Sequence, residues 1–300
     1  MTRTAFISIV GRPNVGKSTL MNKMLGEKVA IVSSRPQTTR NRIAGILTKG
    51  EDQFVFIDTP GVHKAKNKLG EYMMKTVRSS VGSSDAVILI ADAGYPAGEI
   101  EKGLIDRIKK LELPSILVLN KIDLVKREKL AETISGYAAL HDFDAVVPTC
   151  AESGKNVDEV LDEASKFLYE SEWMFDEDSL TDQPERQIAA EIIREKILRT
   201  MSDEIPHGTA VVIESFEEND DLLKIRAEIF CEKKSHKGIL IGKNGETLKK
   251  ICTYAREDME AFFGIHIYLD VWVKVKERWR DDQLSLNSLG FRKDDSDLTV

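Results

Sequence analysis

Eight residues near the start of the chain, Gly11 to Ser18, have the types and spacing of a phosphate-binding loop, G-x-x-x-x-G-K-[S/T]. In such a loop the backbone N–H groups surround the phosphates of a nucleotide, the lysine reaches the outer phosphates and the hydroxyl binds Mg²⁺. Lys17 and Ser18 stand at those two positions. The residues that the pattern assigns to the nucleotide are Gly11, Asn14, Val15, Gly16, Lys17, Ser18 and Thr19.

A second group of candidate residues is Asp58-Thr59-Pro60-Gly61. Asp58 ends an apolar run, where its carboxylate can hold Mg²⁺ through water, and the N–H of Gly61 can approach the terminal phosphate. Taken alone, the four residues also fit an ordinary turn at the end of a strand. Because they follow a phosphate loop, they predict the metal side of a nucleotide site.

The sequence Asn120-Lys121-Ile122-Asp123 predicts which base the nucleotide carries. A carboxylate that accepts two hydrogen bonds matches the N1–H and the 2-amino group of guanine, whereas adenine has no 2-amino group. That mismatch would leave a buried acceptor unpaired, at a cost of roughly several kcal/mol. We therefore expect Asp123 to select guanine, and Asn120 and Lys121 to brace the loop and cover the base.

These residues follow apolar runs of strand length. The runs alternate with amphipathic stretches such as 102–111 and 157–168, which predicts a mostly parallel sheet with helices on both faces. Ligands of such sheets bind outside the carboxyl ends of the strands, where the candidate residues lie. The predicted strands are 6–10, 43–47, 54–58, 86–91, 115–119 and 145–148.

The second half of the chain has a different pattern. Residues 173–186 are acidic and lack clear periodicity, which predicts a linker between two domains, 1–172 and 187–281. Residues 282–300 are expected to form a polar tail. The second domain has the predicted order α-β-β-α-α-β of a compact α+β module, with elements at 187–201, 209–216, 222–231, 238–251, 252–262 and 265–275.

Gly242-Lys243-Asn244-Gly245 lies in a basic stretch of that module, since residues 233–250 carry six lysines and one acid, Glu246. A GxxG turn between two helices presents backbone N–H groups and a helix N-terminus to phosphates. A lysine-rich run by itself is more often a solvated face, but the turn and the charge together predict a site for single-stranded RNA. Its candidate residues are Lys234, Lys237, Gly242, Lys243, Asn244, Gly245, Lys249 and Lys250.

The composition argues against several other classes of protein. Three hundred residues, 42% of them hydrophobic, suffice for about two domains with sizeable cores. No apolar run approaches the roughly 18 residues of a membrane span, and the N-terminus lacks the basic and apolar regions of a signal peptide. The three cysteines are too far apart for a CxxC site and are expected to be reduced thiols in a cytoplasm. A net charge of −7 does not exclude a local basic patch.

In this order, the motifs of the first half resemble the translation-factor-like branch of small GTPases. In that branch the stretch Cys150 to Gly154 would be the fifth motif, with Cys150, Ala151 and Glu152 at the base and the N–H of Ala151 on the guanine oxygen. The motif usually begins with Ser, and Cys150 departs from it. The resemblance also implies that a threonine between residues 35 and 40 binds Mg²⁺ beside the γ-phosphate, and Thr39 is favoured over Thr38.

The second half resembles a KH domain in which a helix and strands precede the GxxG turn. A GTPase domain followed by such a module is similar to the Era family, as are residues 192–196 and 269–276, and the resemblance covers nearly the whole chain. It implies an α/β P-loop GTPase domain, with a mostly parallel sheet, followed by an α+β KH domain.

The resemblance to the Era family also implies a function. The protein is expected to be a GTP-hydrolysing molecular switch that uses Mg²⁺, binds the single-stranded 3′ region of 16S ribosomal RNA and assists assembly of the 30S ribosomal subunit. It is further expected to be a cytoplasmic monomer with weak peripheral association at the inner face of the cell membrane.

Hydrolysis by this site is expected to be slow. Val62 follows Gly61 at the place where many small GTPases carry a Gln that orients the attacking water. Asn14 resembles the Asn of relatives that bind K⁺ beside the phosphates; alternatively, it only stabilises the loop turn. The residues assigned to catalysis are Lys17, Thr39, Gly61 and Asn14.

Two other interpretations remain open at the level of sequence. The first is an RNA-binding module in which the nucleotide is merely a structural ligand, which Val62 favours. The second is an ATP-driven enzyme that remodels RNA, which Asp123 opposes.

Overall fold

The computed structural model describes residues 1–202 and 204–291, which fold into two compact units. The first unit comprises residues 1–64 and 73–182, and the second comprises residues 65–72 and the described chain from residue 183 onward. The first residues of the predicted polar tail include a short helix, Gln283–Ser288, whose Leu286 is buried. Residues 292–300 of that tail lie outside the described residues.

A central sheet organises the first unit. Its strands are β1 (Arg3–Val10), β2 (Ile43–Lys49), β3 (Asp52–Asp58), β4 (Ala86–Asp92), β5 (Ser115–Asn120), β6 (Ala145–Pro148) and β7 (Tyr169–Glu170). The order across the sheet is β2-β3-β1-β4-β5-β6, with β7 paired to β1. Strands β3, β1, β4, β5 and β6 are parallel, whereas β2 runs antiparallel to β3 and β7 antiparallel to β1.

Helices cover both faces of this sheet, as the nearly continuous burial of β1, β4 and β5 requires. One core cluster joins alternate strand residues to α1 and α5, for example Ile9 to Leu20 and Val160, and the other joins them to α2, α3 and α4. The prediction of a mostly parallel sheet with helices on both faces is confirmed. The helices are α1 (Lys17–Leu25), α2 (Lys68–Gly82), α3 (Glu99–Lys110), α4 (Arg127–Ala138) and α5 (Val157–Ala164).

Residues 173–182, which belong to the predicted linker 173–186, follow the edge of the sheet at β2 and β3. The side-chain amide of Gln53 donates to the carbonyl of Phe175 at 2.9 Å, and the N–H of Ile46 donates to the carbonyl of Leu180 at 2.9 Å. The segment thus pairs backbone groups that an edge strand would otherwise expose. The first helix of the second unit begins within the predicted linker, at Glu185.

The second unit is built on a three-stranded sheet of β8 (Thr209–Asn219), β9 (Leu222–Cys231) and β10 (His266–Val275), in the order β10-β9-β8. Strands β8 and β9 form an antiparallel hairpin, and β9 and β10 are parallel, so two helices form the crossover between them. The predicted order α-β-β-α-α-β is confirmed. Its elements are α6 (Glu185–Thr200), β8 (Thr209–Asn219), β9 (Leu222–Cys231), α7 (Lys234–Ile241), α8 (Glu246–Phe263) and β10 (His266–Val275), followed by α9 (Gln283–Ser288).

The core of the second unit lies between the sheet and its helices. Alternate residues of β9 and β10, such as Ile225, Ile229 and Val273, pack with Ile193 of α6 and Ile251 of α8. This period of two leaves the other face of the strands directed away from the helices. Within the described residues, no helix is long and apolar enough to cross a membrane.

Candidate nucleotide site and nucleic-acid interface

The carboxyl ends of four neighbouring strands bring the predicted nucleotide residues to one edge of the sheet. Asp58, the last residue of β3, pairs with Ile9 of β1, and Asn120, the last residue of β5, pairs with Asp92 of β4. The phosphate loop follows β1 directly. A pocket at this edge is lined by residues 13–14, 16–19, 31–33 and 37–39 and by Gly61.

The phosphate loop requires glycine where it turns into α1. Gly16 caps this helix with φ of 105°, and a Cβ there would lie 2.3 Å from the side-chain nitrogen of Asn120. Only glycine combines this backbone angle with so close an approach. The loop therefore leads directly into the N-terminus of α1, where unpaired backbone N–H groups favour an anion.

Lys17 is buried at the first position of α1. Its ammonium Nζ donates to the carbonyl of Arg12 at 2.8 Å and to that of Gly11 at 3.3 Å. Burial lowers the pKa of Lys17 to about 8, although the carboxylate of Asp58 opposes the change. An anion placed in the loop would favour the charged form, because an opposite charge nearby stabilises the ammonium.

Ser18, Thr39 and Asp58 meet in one cluster. The Ser18 hydroxyl donates to Asp58 Oδ2 at 2.5 Å, the Thr39 hydroxyl donates to the same oxygen at 3.1 Å, and the two hydroxyls are 3.0 Å apart. Thr38 instead donates to the carbonyl of Arg35 at 2.7 Å. Of the two candidate threonines, the structure therefore places Thr39 with the other predicted metal ligands.

The donor atoms of this cluster fit Mg²⁺. Asp58 is fully buried, and its Oδ1 has no hydrogen-bond partner among the described residues. Burial raises the pKa of Asp58, an effect that the Lys17 ammonium and the Ser18 and Thr39 hydroxyls oppose. A buried carboxylate oxygen without a partner is costly unless a cation or a donor approaches it. Hard oxygen ligands of this kind are those that Mg²⁺ prefers.

Asn14 joins the phosphate loop to the segment that carries Thr39. Its backbone is left-handed, with φ of 63°, and its side-chain nitrogen donates to the carbonyl of Ser34 at 2.7 Å. Asparagine tolerates this conformation better than most residues do. The contact links the phosphate loop to the segment of Ser34, and both predicted roles of Asn14 stay predictions.

Asn120 braces three loops. Its side-chain nitrogen donates to the carbonyl of Val15 at 2.7 Å, and its Oδ1 accepts from the N–H of Ala151 at 2.9 Å. Lys121 next to it pairs with Asp92 at 3.0 Å. The N–H of Ala151, which was expected on the guanine oxygen, is thus bonded to Asn120 in this structure, so a base would have to share it.

Asp123, the predicted guanine reader, lies in a short 3₁₀ turn, Ile122–Leu124, directly after β5. Its side chain is exposed, as is that of Glu152, and both are open to a ligand. Cys150 is buried, and its backbone N–H donates to the carbonyl of Lys155 at 3.1 Å. The thiol at this position therefore belongs to the packing of the loop.

Val62 faces the protein core. Its side chain is partly buried against the core cluster of α2, α3 and α4, and its N–H donates to the carbonyl of Gly11 at 3.0 Å. The next residue, His63, places Nδ1 within 2.9 Å of the Gly61 carbonyl oxygen. This geometry agrees with the expectation that Val62 does not orient water.

Sequence reasoning missed a partner of the phosphate loop. Arg12 forms a two-point ion pair with Glu101 of α3, with N–O distances of 2.5 and 2.7 Å, and Glu101 is buried. The second oxygen of Glu101 also accepts from the N–H of Gly98 at 3.0 Å. No local pattern links residues so far apart along the chain, so the sequence carried no signal for this pair.

The predicted RNA residues lie in α7, in the turn that follows it and in the first half of α8. Gly242 has φ of 75°, and a Cβ there would lie 2.2 Å from Thr247 Oγ1, so the turn requires glycine at this position. Asn244 is also left-handed, with φ of 53°. Lys243 and Asn244 are exposed at the tip of the turn. The exposed lysines around it are Lys234, Lys249 and Lys250, while Lys237 and Gly245 are half-buried.

Two family models match this chain. Residues 6–121 match a family described as a 50S ribosome-binding GTPase, and residues 204–280 match the KH domain. These ranges contain the phosphate loop and the GxxG turn, respectively.

The chain is similar over nearly its whole length to several proteins named GTPase Era. It is 46% identical to the protein of Ruminiclostridium cellulolyticum, covering 97% of this chain and 98% of that protein. It is 48% identical to a protein of Clostridium botulinum, covering 98% of this chain and 99% of that protein.

A solved structure has the same fold. It is the crystal structure of Era in complex with MgGDPNP and nucleotides 1506-1542 of 16S ribosomal RNA. The TM-score is 0.94 at 35% sequence identity, and the match covers 98% of this chain and 100% of that chain.

Proposed function

Because the chain belongs to the GTPase Era family, we propose that its GTP-dependent switch controls binding to the single-stranded 3′ region of 16S ribosomal RNA and assists assembly of the 30S subunit. The protein is a GTPase, which converts GTP and water to GDP and phosphate. The observation that carries the proposal is the cluster of Ser18, Thr39 and Asp58 beside the buried Lys17. This cluster joins the segment of Thr39 to the metal side of the phosphate loop.

Ser18 and Thr39 would hold Mg²⁺ with their hydroxyls, and Asp58 would hold it through water. When bound, Mg²⁺ neutralises charge on the β- and γ-phosphate oxygens. A relative of this chain was crystallised with Mg²⁺ and a GTP analogue, which supports this assignment. Because Thr39 lies in a loop and Ser18 in a helix, loss of the γ-phosphate would release the loop and leave the helix in place.

Lys17 stabilises negative charge on the outer phosphates, and the N–H of Gly61 senses the γ-phosphate. Neither Val62 nor Gly61 carries a side chain that can accept a proton from water. The site is therefore proposed to hydrolyse GTP slowly, so that the GTP-bound state lasts long enough to affect RNA binding by the second unit. Asp123 selects guanine, with Asn120 bracing its loop.

We also propose that K⁺ assists hydrolysis beside Asn14. The side-chain nitrogen of Asn14 donates to the Ser34 carbonyl, which would fix the orientation of its amide. A cation there would offset the charge that develops in the transition state. Turnover should be faster in KCl than in NaCl at equal ionic strength, measured as phosphate release. Equal rates in the two salts would contradict K⁺ assistance and leave Asn14 with its loop contact only.

The RNA is proposed to bind at the GxxG turn of the second unit. Lys243 and Asn244 are exposed at the tip of the turn. The left-handed glycine has no side chain there, so a phosphate can approach the backbone. The crystallised relative holds nucleotides 1506-1542 of 16S ribosomal RNA, and this identifies the RNA segment to use in a test.

Phosphate release at multiple turnover, with and without this RNA segment, tests the function. We expect the RNA to raise the rate and the GTP-analogue state to bind RNA more tightly than the GDP state. A scrambled RNA of equal length is the control. If the segment binds in neither nucleotide state, the proposed function is wrong.

On the family resemblance we further propose that the protein is a cytoplasmic monomer with weak peripheral association at the inner face of the membrane. Fractionation of cells with and without a high-salt wash tests the location, and light scattering of the purified chain tests the monomer. Retention in washed membranes, or a dimer mass, would contradict these assignments.

A further inference from the structure

An ion pair fixes the phosphate loop to the first turn of α3. Nη2 of Arg12 donates to Oε2 of Glu101 at 2.7 Å, and Nε of Arg12 lies 2.5 Å from Oε1. The side chain of Glu101 is only 5% exposed, whereas that of Arg12 is 39% exposed. A buried carboxylate is costly without a partner, so Glu101 favours the position in which the guanidinium contacts it.

Gly98, which precedes α3, provides the space for this guanidinium. A Cβ on Gly98 would lie 2.0 Å from Nη2 of Arg12. The φ of Gly98 is −93°, which other residues adopt freely, so glycine is needed here for room alone. The N–H of Gly98 donates to Oε2 of Glu101 at 3.0 Å, and the same oxygen therefore binds both the start of α3 and Arg12.

The backbone of Arg12 in turn orients Lys17. The Lys17 ammonium donates to the carbonyl of Arg12 at 2.8 Å and to that of Gly11 at 3.3 Å. An ammonium has three N–H donors, and these two contacts fix the direction of the third. The place of the Arg12 carbonyl therefore decides where Lys17 directs the donor that a phosphate would meet.

The segment of Gly61 rests on the same part of the phosphate loop. A Cβ on Gly61 would lie 2.6 Å from the Cα of Pro13 and 2.7 Å from its nitrogen. The N–H of Val62 donates to the carbonyl of Gly11 at 3.0 Å. A shift of this part of the loop would therefore displace the Lys17 ammonium and the Gly61 N–H together.

We propose that Glu101 and Gly98 are positioning residues for GTP hydrolysis, which act by holding the side chain of Arg12. Through Arg12 they fix the backbone that orients Lys17 and supports Gly61. Misplacement of a reacting group by about 1 Å can slow a reaction on the order of a hundredfold, whereas binding draws on many other contacts. This inference rests on the proposed hydrolysis of GTP at this site.

The test uses the full chain with Mg²⁺ and measures single-turnover GTP hydrolysis, together with the affinities for GDP and for a non-hydrolysable GTP analogue. Glu101→Gln keeps an acceptor for the Gly98 N–H but loses the charge that holds Arg12. Hydrolysis should slow about tenfold, while both affinities stay within about threefold of the wild type. Glu99→Gln removes the same charge from an exposed position in the same turn of α3, and this matched control should hydrolyse GTP as the wild type does.

A second pair of variants changes no charge. In Gly98→Ala the added methyl group would take the place of Nη2 of Arg12, so the guanidinium has to leave Glu101. Hydrolysis should slow as it does in Glu101→Gln. Gly103→Ala is the matched control, because a Cβ at this exposed position of α3 meets no atom within 4 Å, and its rate should be that of the wild type.

A double-mutant cycle tests whether Glu101 acts through Arg12. Arg12→Ala should slow hydrolysis about tenfold, and the double variant Arg12→Ala with Glu101→Gln should be no slower than either single variant. The double variant contains no unpaired buried carboxylate at this position. Its comparison with Glu101→Gln therefore decides the question even if Arg12→Ala alone does not fold.

Three results would overturn this inference alone. They are a wild-type rate in Glu101→Gln, a double variant slowed by the product of the single effects, and losses of nucleotide affinity as large as the loss of rate. The last result would show that the ion pair only stabilises the unit. Failure of the wild type to hydrolyse GTP would instead contradict the function proposed for the site.

Discussion

At the scale of single residues, the nucleotide site depends on the small number of hydrogen-bond partners of the Asp58 carboxylate. One carboxylate oxygen accepts from both Ser18 and Thr39, and the other has no partner in the described chain. In this protein the buried charge is therefore balanced by Lys17 and, when present, by a metal ion. The metal ligand that is specific to the triphosphate state should therefore contribute to hydrolysis more than to the binding of GDP.

Thr39→Ala should slow GTP hydrolysis on the order of 10- to 100-fold, with GDP affinity nearly unchanged, because a metal ligand specific to the triphosphate state is lost. Thr38→Ala is the matched control, since the Thr38 hydroxyl donates to Arg35, and it should hydrolyse GTP near the wild-type rate. Single-turnover hydrolysis as a function of Mg²⁺ concentration measures both. The reverse result would assign the metal to Thr38.

Asp123→Asn should weaken GTP by roughly 100-fold and allow xanthosine nucleotides to bind, because the amide presents a donor where the carboxylate offers only acceptors. Competition against a fluorescent GDP measures both the loss of GTP affinity and the gain of affinity for xanthosine nucleotides. Asp106→Asn, at an exposed position of α3, removes the same charge away from the loop and should have no effect. Loss of GTP without gain of xanthosine nucleotides would contradict the guanine assignment.

At the scale of elements, the segment 173–182 is an integral part of the first sheet. Gln53 is fully buried, and its amide oxygen accepts from the N–H groups of Met174 and Phe175 at 3.0 and 3.1 Å. Its amide nitrogen donates to the Phe175 carbonyl. The Gln53 side chain thus supplies the hydrogen-bond partners that a neighbouring strand would otherwise supply to three backbone groups.

Gln53→Ala should destabilise the first unit by about 2–4 kcal/mol, because three buried backbone groups lose their partner. Release of a bound fluorescent GDP during urea unfolding reports on this unit alone. Glu159→Ala, at an exposed position of α5 in the same unit, is the control and should change stability by less than about 0.5 kcal/mol. A Gln53→Ala variant as stable as the wild type would show that the segment is not held by this side chain.

At the scale of the whole molecule, an acidic chain carries a basic RNA site. The net charge is −7, yet residues 233–250 hold six lysines and one acid. Local charge decides where RNA binds, because exposed charges more than about 10 Å apart are largely screened at ordinary ionic strength. The overall charge then limits nonspecific binding elsewhere.

Lys243→Asp with Asn244→Asp should abolish RNA binding while GTP affinity stays unchanged, because both carboxylates would face phosphates at the tip of the turn. Substituting Gly242 is a poorer test, since a side chain there would collide with Thr247. Lys102→Asp with Ser135→Asp changes the charge by the same amount at exposed positions of the first unit and is the matched control. Anisotropy with the 16S segment measures both, and binding by the first variant would refute RNA binding at the GxxG turn.

Family membership also decides between the interpretations that the sequence left open. A GTPase of the Era family is neither an RNA-binding module with an inert nucleotide nor an ATP-driven remodelling enzyme. Slow hydrolysis, which Val62 leads us to expect, is compatible with this family, because a switch needs a long-lived state more than a fast reaction.

The sequence by itself determined the fold class, the phosphate loop, the order of the nucleotide motifs and the GxxG turn. Each of these is a contiguous stretch in which residue type dictates local backbone geometry, as the left-handed Gly16 and Gly242 illustrate. The apolar runs likewise predicted the parallel sheet, because a strand that is buried on both faces has apolar residues at consecutive positions.

Only the tertiary structure decided which residues meet across the chain. It placed Thr39 rather than Thr38 beside Asp58, paired Arg12 with Glu101, and bonded Ala151 to Asn120. It also attached 173–182 to the sheet and put Trp272 opposite Glu228 on the open face of the second sheet. These contacts depend on strand register and helix packing, which bring together residues distant along the chain, and no local pattern of residue types records them.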